Sequence, residues 1–410
     1  MLEHDQLHSV ARRIRRFVDQ RLLPLEPCLD AGDAKAEDCL AQLQQAARDA
    51  GLWGQANGLA PGRLLDYLPL AEQEGRSEYG PAVFGAEAVL DGYMLRNANP
   101  RLQREVLAPV LAGEALASYG MSEPNSIGSI PATLTTRARW CGDHWQLDGE
   151  KWFICRAEQA AFITVVARTA EGPVERALSL FVVPASTPGV EVGERMKVLG
   201  RYQGQAPVRL IAVRLAEDQV LGQVGQGFAL IQERLALGRL LRAAHWLGMA
   251  QRCFDLMGAR IVSPRGALAR LADKQLVRLR MVETYQAIHA ARSLLHDAAT
   301  RFDQGRSNDV EANLAKLAAS QALSLNVDSA IQIYGAEGLT DGTPLSGIYR
   351  HARATHFMDG TDDALVSALG RQLIGAYQDG GGVNFAAPSS SPVDWTGSSD
   401  EEGPCRLITC

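Results

Sequence analysis

Phe162-Ile163-Thr164-Val165-Val166-Ala167 and Leu178-Ser179-Leu180-Phe181-Val182-Val183 are two short apolar runs, rich in β-branched residues, in a chain whose other regions carry helical spacing. Runs of this length bounded by Gly, Pro and charged residues fit strands buried on both faces. The same texture extends outward to Thr133 to Arg139, Trp145 to Leu147 and Val208 to Val213. Cys141-Gly142-Asp143, Asp148-Gly149 and Thr187-Pro188-Gly189 supply turn chemistry between the runs. A small antiparallel β domain is therefore predicted over residues 119–222.

On both sides the period changes. Leu40, Leu43, Ala46 and Ala47 recur at three- and four-residue spacing before Gly51 stops the run, and residues 1–118 read as a helical domain. From 223 to 378, long Ala/Leu-rich stretches broken at Ser263-Pro264-Arg265-Gly266, Gly305-Arg306-Ser307 and Gly338 to Gly342 predict a bundle of roughly four helices. The tail, 379–410, with its glycines, its Ser/Pro segment and Asp400-Glu401-Glu402, reads as disordered. Helices, then a β barrel or sandwich, then more helices is an α+β arrangement that few folds share.

Composition excludes more than it selects. Of the 410 residues, 46% are hydrophobic, enough for two or three packed domains, and the formal net charge of −6 argues against nucleic acid or an anionic membrane as partner. Met1-Leu2-Glu3-His4-Asp5 lacks the apolar core of a signal peptide, and no stretch nears the ~18 apolar residues of a spanning helix, so a cytoplasmic location without a membrane partner is expected. The 7 cysteines form no Cys-x-x-Cys pair, and the 8 histidines show no ligand spacing; no metal site is expected. A serine-hydrolase elbow of the form Gly-x-Ser-x-Gly is missing too.

Two stretches carry more specific content. Tyr119-Gly120-Met121-Ser122-Glu123-Pro124 opens the β domain. Ala330-Ile331-Gln332-Ile333-Tyr334-Gly335-Ala336-Glu337-Gly338 lies late in the bundle, followed by Tyr349-Arg350-His351-Ala352-Arg353 and Met358-Asp359-Gly360-Thr361. Between them fall Leu147-Asp148-Gly149-Glu150-Lys151-Trp152-Phe153-Ile154, Val183-Pro184, Leu221-Gly222, Gly225-Gln226-Gly227-Phe228 and Gly238-Arg239. Taken singly these are bland: Asp359-Gly360 alone is a turn, Ser122-Glu123-Pro124 alone a turn or helix start, and Gln332 a polar position on an Ala-rich helix. Gly222 to Gly227 lacks the Gly-x-Gly-x-x-Gly order of a dinucleotide loop. In this order and spacing, over about residues 5 to 378, the set resembles the acyl-CoA dehydrogenase family, and most of all the subgroup with Asp at the catalytic-base position.

The resemblance implies an N-terminal helical domain, a middle antiparallel β domain and a C-terminal four-helix bundle. It implies FAD-dependent α,β-dehydrogenation of an acyl thioester delivered by CoA or an acyl carrier protein, with electrons passed on to an electron-transfer acceptor. Asp359 would be the base, and Gly360 and Arg239 would line the substrate. Ser122, Gly128 or Ser129, Phe153, Cys155 and Thr361 would contact the flavin. Gln332 and Gly335 would meet the FAD of a neighbouring subunit in a homodimer or homotetramer, joined by Arg265 if a one-residue slip is allowed. The base position used by some relatives falls on Gly238, which leaves Asp359 as the only carboxylate for the role.

Several positions depart from the family pattern. Cys155 replaces the threonine that faces flavin N5, and Pro264-Arg265-Gly266-Ala267-Leu268 stands where Arg-x-x-Phe-Gly is usual. Arg201-Tyr202-Gln203-Gly204 follows Leu199-Gly200 in place of a Ser-Asp-Thr loop. Asp in place of Glu shortens the base by one methylene, about an ångström of reach, which can cost ~10²-fold in rate unless the site is rebuilt. These departures admit two alternatives: a non-redox acyl-thioester-binding or proton-transfer homologue without flavin, and a flavin oxidase or monooxygenase on the same scaffold.

Overall fold

The computed structural model describes residues 4–57, 63–127, 130–202, 204–306, 309–378 and 381–382. Its longer helices are α1 (His4–Phe17), α2 (Ala34–Asp49), α3 (Leu64–Glu74), α4 (Val89–Leu95), α5 (Gly227–Val262), α6 (Gln275–Asp303), α7 (Asp309–Tyr334), α8 (Leu345–Thr355) and α9 (Asp362–Gln378). Its strands are β1 (Ala117–Gly120), β2 (Arg137–Trp140), β3 (Trp145–Cys155), β4 (Phe162–Arg168), β5 (Leu178–Pro184), β6 (Val190–Val192), β7 (Lys197–Val198), β8 (Arg201–Tyr202), β9 (Gln205–Leu215) and β10 (Val220–Leu221). Apart from 381–382, the tail read as disordered lies outside the described residues.

The main sheet runs β10-β5-β4-β2-β3-β9-β6, with β1 added alongside β4. It is mostly antiparallel, not wholly so: β1 pairs with β4 in parallel, and β2 meets β4 in parallel at Arg137 and Arg168. The predicted strand Thr133 to Arg139 is also shorter than expected. Pro131–Thr133 forms a single 3-10 turn, and the strand begins at Arg137. Proline at the first position of that turn fixes its φ and supplies no ladder donor.

β4 and β5 explain why the middle of the chain reads as continuous apolar runs. Their residues alternate between two cores, with Ile163, Val165, Ala167, Phe181 and Val183 on one face. Phe162, Val166, Leu178, Leu180 and Val182 face the other, where Met94 and Leu95 of α4 and Ile231 of α5 cover them. Each fully buried side chain of this size contributes roughly 1.5–3 kcal/mol, so a sheet covered on both faces tolerates no polar alternation.

The helical core is continuous from the N-terminal helices into the bundle, including Ile14, Leu43, Leu64 and Phe84 with Leu240, Leu247, Ile288, Leu323 and Val327. α5 is its axis. Two glycines let α3 and its following turn lie directly on α5: a Cβ at Gly248 would stand 1.9 Å from the Glu72 carbonyl oxygen, and one at Gly75 would stand 2.2 Å from the His245 backbone. The outer side of the bundle is different. Val262, Leu268, Leu276, Leu279, Val282 and Tyr285 are all exposed, Leu268 by 88%, and three-residue steps put the α6 members along one stripe. No helix among the described residues is long and apolar enough to cross a membrane.

Glu123, in the segment that enters the sheet, is a buried anchor. Its carboxylate accepts from Lys151 Nζ at 2.8 Å, from the Thr135 amide and hydroxyl at 2.7 Å, and from the Thr136 amide at 3.0 Å. Burial works against its charge, but Lys151 and these donors outweigh it and hold the carboxyl at about 2, while burial pulls Lys151 down to about 8. Because Glu123 is depressed in the folded state, its stabilisation is present above the ordinary carboxyl pKa of ~4.5 and is lost as pH falls from there towards about 2. Glu123→Gln leaves a buried ammonium without its counter-charge and is expected to cost about 3–5 kcal/mol. Urea titrations from pH 7 to 2.5 should show this loss at neutral pH, with the wild-type advantage shrinking below pH ~4.5.

Candidate active site

Between α8 and α9 the chain turns through His356 to Thr361, and buried groups of α7 hold that turn. Lys316, fully buried, donates to the Gly360 carbonyl at 3.0 Å and pairs with Asp362. The second oxygen of Asp362 accepts from Ser320 Oγ at 3.0 Å and meets His356 Nδ1 at 2.6 Å, and His356 Nε2 lies 2.8 Å from Ser324 Oγ. Lys316, Ser320 and Ser324 are spaced four apart, so they line one side of α7. Thr361 caps α9, its Oγ1 accepting from the Ala364 amide at 3.2 Å. Pinned at both ends, the turn places Asp359 in the left-handed region, φ 53°, with Gly360 at φ 101°. Asp tolerates that region better than most residues.

Asp359 points at α5. Arg239 Nε donates to its carbonyl at 2.9 Å, and Arg242 Nε donates to Oδ2 of its carboxylate. The Asp359 side chain is 10% exposed. Burial alone would favour the neutral acid, yet the positive charges of Arg242, Arg234 and Arg239 outweigh it and depress the carboxyl below its usual range. Gly238 lies alongside: a Cβ there would stand 3.5 Å from Asp359 Oδ1 and 3.4 Å from Leu90 Cδ1. Gly238, where the resemblance puts the base of some relatives, thus lies directly beside Asp359.

The β domain closes the other side. The Arg234 guanidinium lies 3.9 Å above the ring of Tyr119 on β1, a cation–π contact. Burial, together with the charges of Asp359 and Asp91, pushes the Tyr119 hydroxyl up to about 12 against the opposing pull of Arg234. Arg156, just past β3, pairs with Glu87 at 2.7 Å and reaches the buried Asp91 of α4 at 3.5 Å. Phe153 is exposed and has φ 55°, where the β3–β9 register breaks between Lys151 and Ile154. Its ring centroid lies 4.8 Å from that of Trp152. Cys155 is also exposed, with Gln205 Nε2 3.8 Å from its sulfur. The Ser122 carbonyl accepts from the Trp152 amide at 2.7 Å, tying the opening motif to this shelf.

Other predicted residues lie elsewhere. Gln332 and Gly335 are exposed at the far end of α7, roughly 24 Å along the helix from Lys316 at 1.5 Å per residue. Arg265 joins that corner, since it and Arg260 both reach Glu337 Oε2 at 2.6 Å. Gly128 and Ser129 lie outside the described residues. Among the described residues no cluster of three or more potential metal ligands occurs. Sequence reasoning missed Arg234, Arg242, Tyr119, Asp91 and Lys316. A signal for the arginines was present: Arg234 and Arg242 are two turns apart, with Arg239 between them in a stretch, Leu235 to Ala244, that is otherwise without polar side chains.

A helical–β–helical fold in which a turn aims one carboxylate at an arginine-bearing helix beside an open aromatic shelf defines a class of enzyme architecture. The comparisons agree with it. Residues 118–210 match the middle-domain model of the acyl-CoA dehydrogenases, and residues 225–374 match the C-terminal-domain model. The human mitochondrial short-chain specific acyl-CoA dehydrogenase is 28% identical over 391 residues, 91% of this chain and 94% of that protein. The probable acyl-CoA dehydrogenase FadE2 of Mycobacterium tuberculosis is 30% identical over 352 residues, 83% of this chain and 86% of that protein. Among solved structures, that of a putative acyl-CoA dehydrogenase from Mycobacterium abscessus superposes with a TM-score of 0.82 at 26% identity, covering 92% of this chain and all of that one. The chain belongs to the acyl-CoA dehydrogenase family, whose members are flavin oxidoreductases.

The buried clamp on the Asp359 turn generates a test. Lys316→Met keeps the length of the side chain but strands Asp362 without its charged partner. A loss of about 3–5 kcal/mol is expected by chemical denaturation. A loss below about 1 kcal/mol would mean that the ammonium does not hold the turn.

Proposed function

We propose that this protein dehydrogenates an acyl thioester between Cα and Cβ, with Asp359 accepting the α-proton. The single observation that carries the reading is the Asp359 carboxylate itself: ionised by surrounding arginines, aimed at α5, and backed by Gly238, where no second carboxylate stands. Arg239 and Gly360 line the substrate side, and CoA or an acyl carrier protein delivers the acyl group. Electrons leave to a separate electron-transfer acceptor.

The residues present fit FAD. An exposed aromatic at Phe153, turned out of the sheet by a break in register, offers a face for a planar ring, and Ser122 is held beside it through Trp152. Ser122, Gly128 or Ser129, Phe153, Cys155 and Thr361 would hold the flavin of their own subunit, and Arg265, Gln332 and Gly335 that of a neighbour. When bound, FAD supplies the acceptor for the hydride that leaves Cβ. The chain's own work is to exclude water from the base, hold the Asp359 turn against α5, and take the proton. Cys155 offers only a weak donor where the usual family member has a hydroxyl, so orientation rests more on Phe153 and Ser122.

Two experiments test the reading. Protein purified and reconstituted with FAD should be yellow, and an acyl-CoA panel should bleach it anaerobically. Asp359→Asn should keep the colour and lose the bleaching by 10³-fold or more, on the order of what an essential proton acceptor contributes; bleaching at a near-normal rate would place the base elsewhere. The second concerns assembly, because Gln332 and Gly335 serve a neighbouring flavin only in an oligomer and the α6 stripe is apolar and open. Val282→Glu should lower the molar mass measured by light scattering from a dimer or tetramer towards a smaller species, whereas an unchanged mass would exclude this stripe as the contact.

A further inference from the structure

A free carboxylate has two equivalent oxygens, and the terminal torsion of Asp is broad. Asp359 is not free. Arg242 Nε donates to Oδ2, and Arg239 Nε, less than one helical turn earlier on α5, donates to the backbone carbonyl of the same residue at 2.9 Å. Two guanidinium groups from adjacent turns of one rigid helix therefore hold both ends of Asp359. The other oxygen, Oδ1, faces Gly238, where the missing side chain leaves a notch bordered by Leu90. Arg242 itself is 42% exposed at its side chain, against 10% for Asp359, so it stands on the open side of the pair.

We propose that Arg242 is a positioning residue for the base: it dedicates Oδ2 to itself and thereby presents Oδ1, over the gap at Gly238, as the oxygen that accepts the substrate α-proton. This rests on Asp359 being the base. The step is balanced simply: the Cα–H bond breaks, the proton goes to Oδ1, and the electron pair remains on the substrate.

The other charged and titratable groups facing Asp359 are Arg234 and Arg239 from α5, Lys316 from α7 and Tyr119 from β1; Cys155 and Glu87 face Arg242. None of the other cations contacts the Asp359 carboxylate with a hydrogen bond among the described residues. Arg242 is thus the group whose loss frees the rotation of the carboxylate and also removes its nearest positive charge. A lock that must open before catalysis, or a purely structural pair, would behave differently from a positioning contact.

The test uses the FAD-reconstituted full chain, with the best substrate from a straight-chain acyl-CoA panel, in wild type, Arg242→Gln, Arg242→Lys and Asp359→Asn. For Arg242→Gln the acid limb of kcat/KM should move up by ~1–3 pH units, because an opposite charge at contact distance depresses a carboxyl by about that much. Its kcat should fall on the order of 10- to 100-fold with KM changed less than about twofold, as for a misplaced catalytic group. Arg242→Lys should return the acid limb towards wild type while leaving kcat reduced, since an ammonium restores the charge but not the planar donor geometry. As a readout independent of flavin reduction, deuterium exchange at the substrate Cα in D₂O with apoprotein should slow in Arg242→Gln to the same extent as kcat.

An unmoved acid limb with unchanged kcat in Arg242→Gln would overturn the proposal, and so would faster flavin reduction, which marks a lock. If Arg242→Gln does not fold, a fully wild-type rate in Arg242→Lys overturns it as well. Failure of the base reading is separate: it shows as exchange and bleaching that survive in Asp359→Asn.

Discussion

The Lys316 ammonium is fully buried, and a buried charge without partners costs several kcal/mol. Its need for acceptors organises the end of the molecule that carries Asp359. Gly360 and Asp362 supply them, Asp362 in turn satisfies Ser320 and His356, and Arg239 closes the set from α5 by holding the Asp359 carbonyl. The position of Asp359, the proposed base, is therefore set by two long helices and not by the conformational preferences of a turn. Those helices are themselves fixed, because α5 packs against α3 through glycines that allow no side chain between them. A site carried on rigid elements in this way can keep sub-ångström geometry, which a loop alone cannot.

The outline of this arrangement was legible in the sequence, and the reason is periodicity. Runs such as Phe162 to Ala167 announce a sheet covered on both faces, and Gly51, Gly222 and Gly225 stop elements where the chain takes positive φ. The role proposed for Asp359 rests on the company of other motifs, since Asp-Gly alone is a turn. Arg242, Arg234 and Lys316 were not singled out for the opposite reason: a charged residue in an Ala/Leu-rich helix reads as a solvated face until the neighbouring helix is in place. Glu123 was misleading in another way: it belongs to a motif that the resemblance assigns to the flavin, yet its own carboxylate turns inward to Lys151 and the Thr135–Thr136 backbone. The strand expected from Thr133 starts only at Arg137 because Thr133 closes the turn begun at Pro131 and the Thr135 and Thr136 amides donate to the Glu123 carboxylate.

α7 also connects two sites that the resemblance implies only as separate motifs. One stretch of it, at Lys316, Ser320 and Ser324, holds the base turn, while its end, at Gln332 and Gly335, opens to solvent beside Glu337, Arg260 and Arg265. The roughly 24 Å between them is too far for one isoalloxazine ring to touch both. On the proposed reading, α7 would serve its own Asp359 at one end and a neighbour's cofactor at the other, so assembly and catalysis would share a single rigid element.

For Asp359 as the proposed base, the shorter side chain is the hardest feature to reconcile with efficient proton transfer. Asp is about an ångström shorter in reach than Glu, and Asp359 sits at φ 53° with its carbonyl held by Arg239, so its backbone is tied directly to α5. Gly238 then matters twice: it lacks a carboxylate, and it lacks a Cβ that would stand 3.5 Å from Oδ1. The cost falls on basicity. A carboxylate surrounded by Arg234, Arg239 and Arg242 is depressed below its usual range and holds a proton weakly, so if it is the base, the acidity of the substrate would have to be raised to meet it. The same positive charge would serve that end, since cations beside a reacting carbon stabilise negative charge developing as the proton departs. On the proposed reading, weak base and stabilised anion would both follow from one cluster of arginines and offset each other.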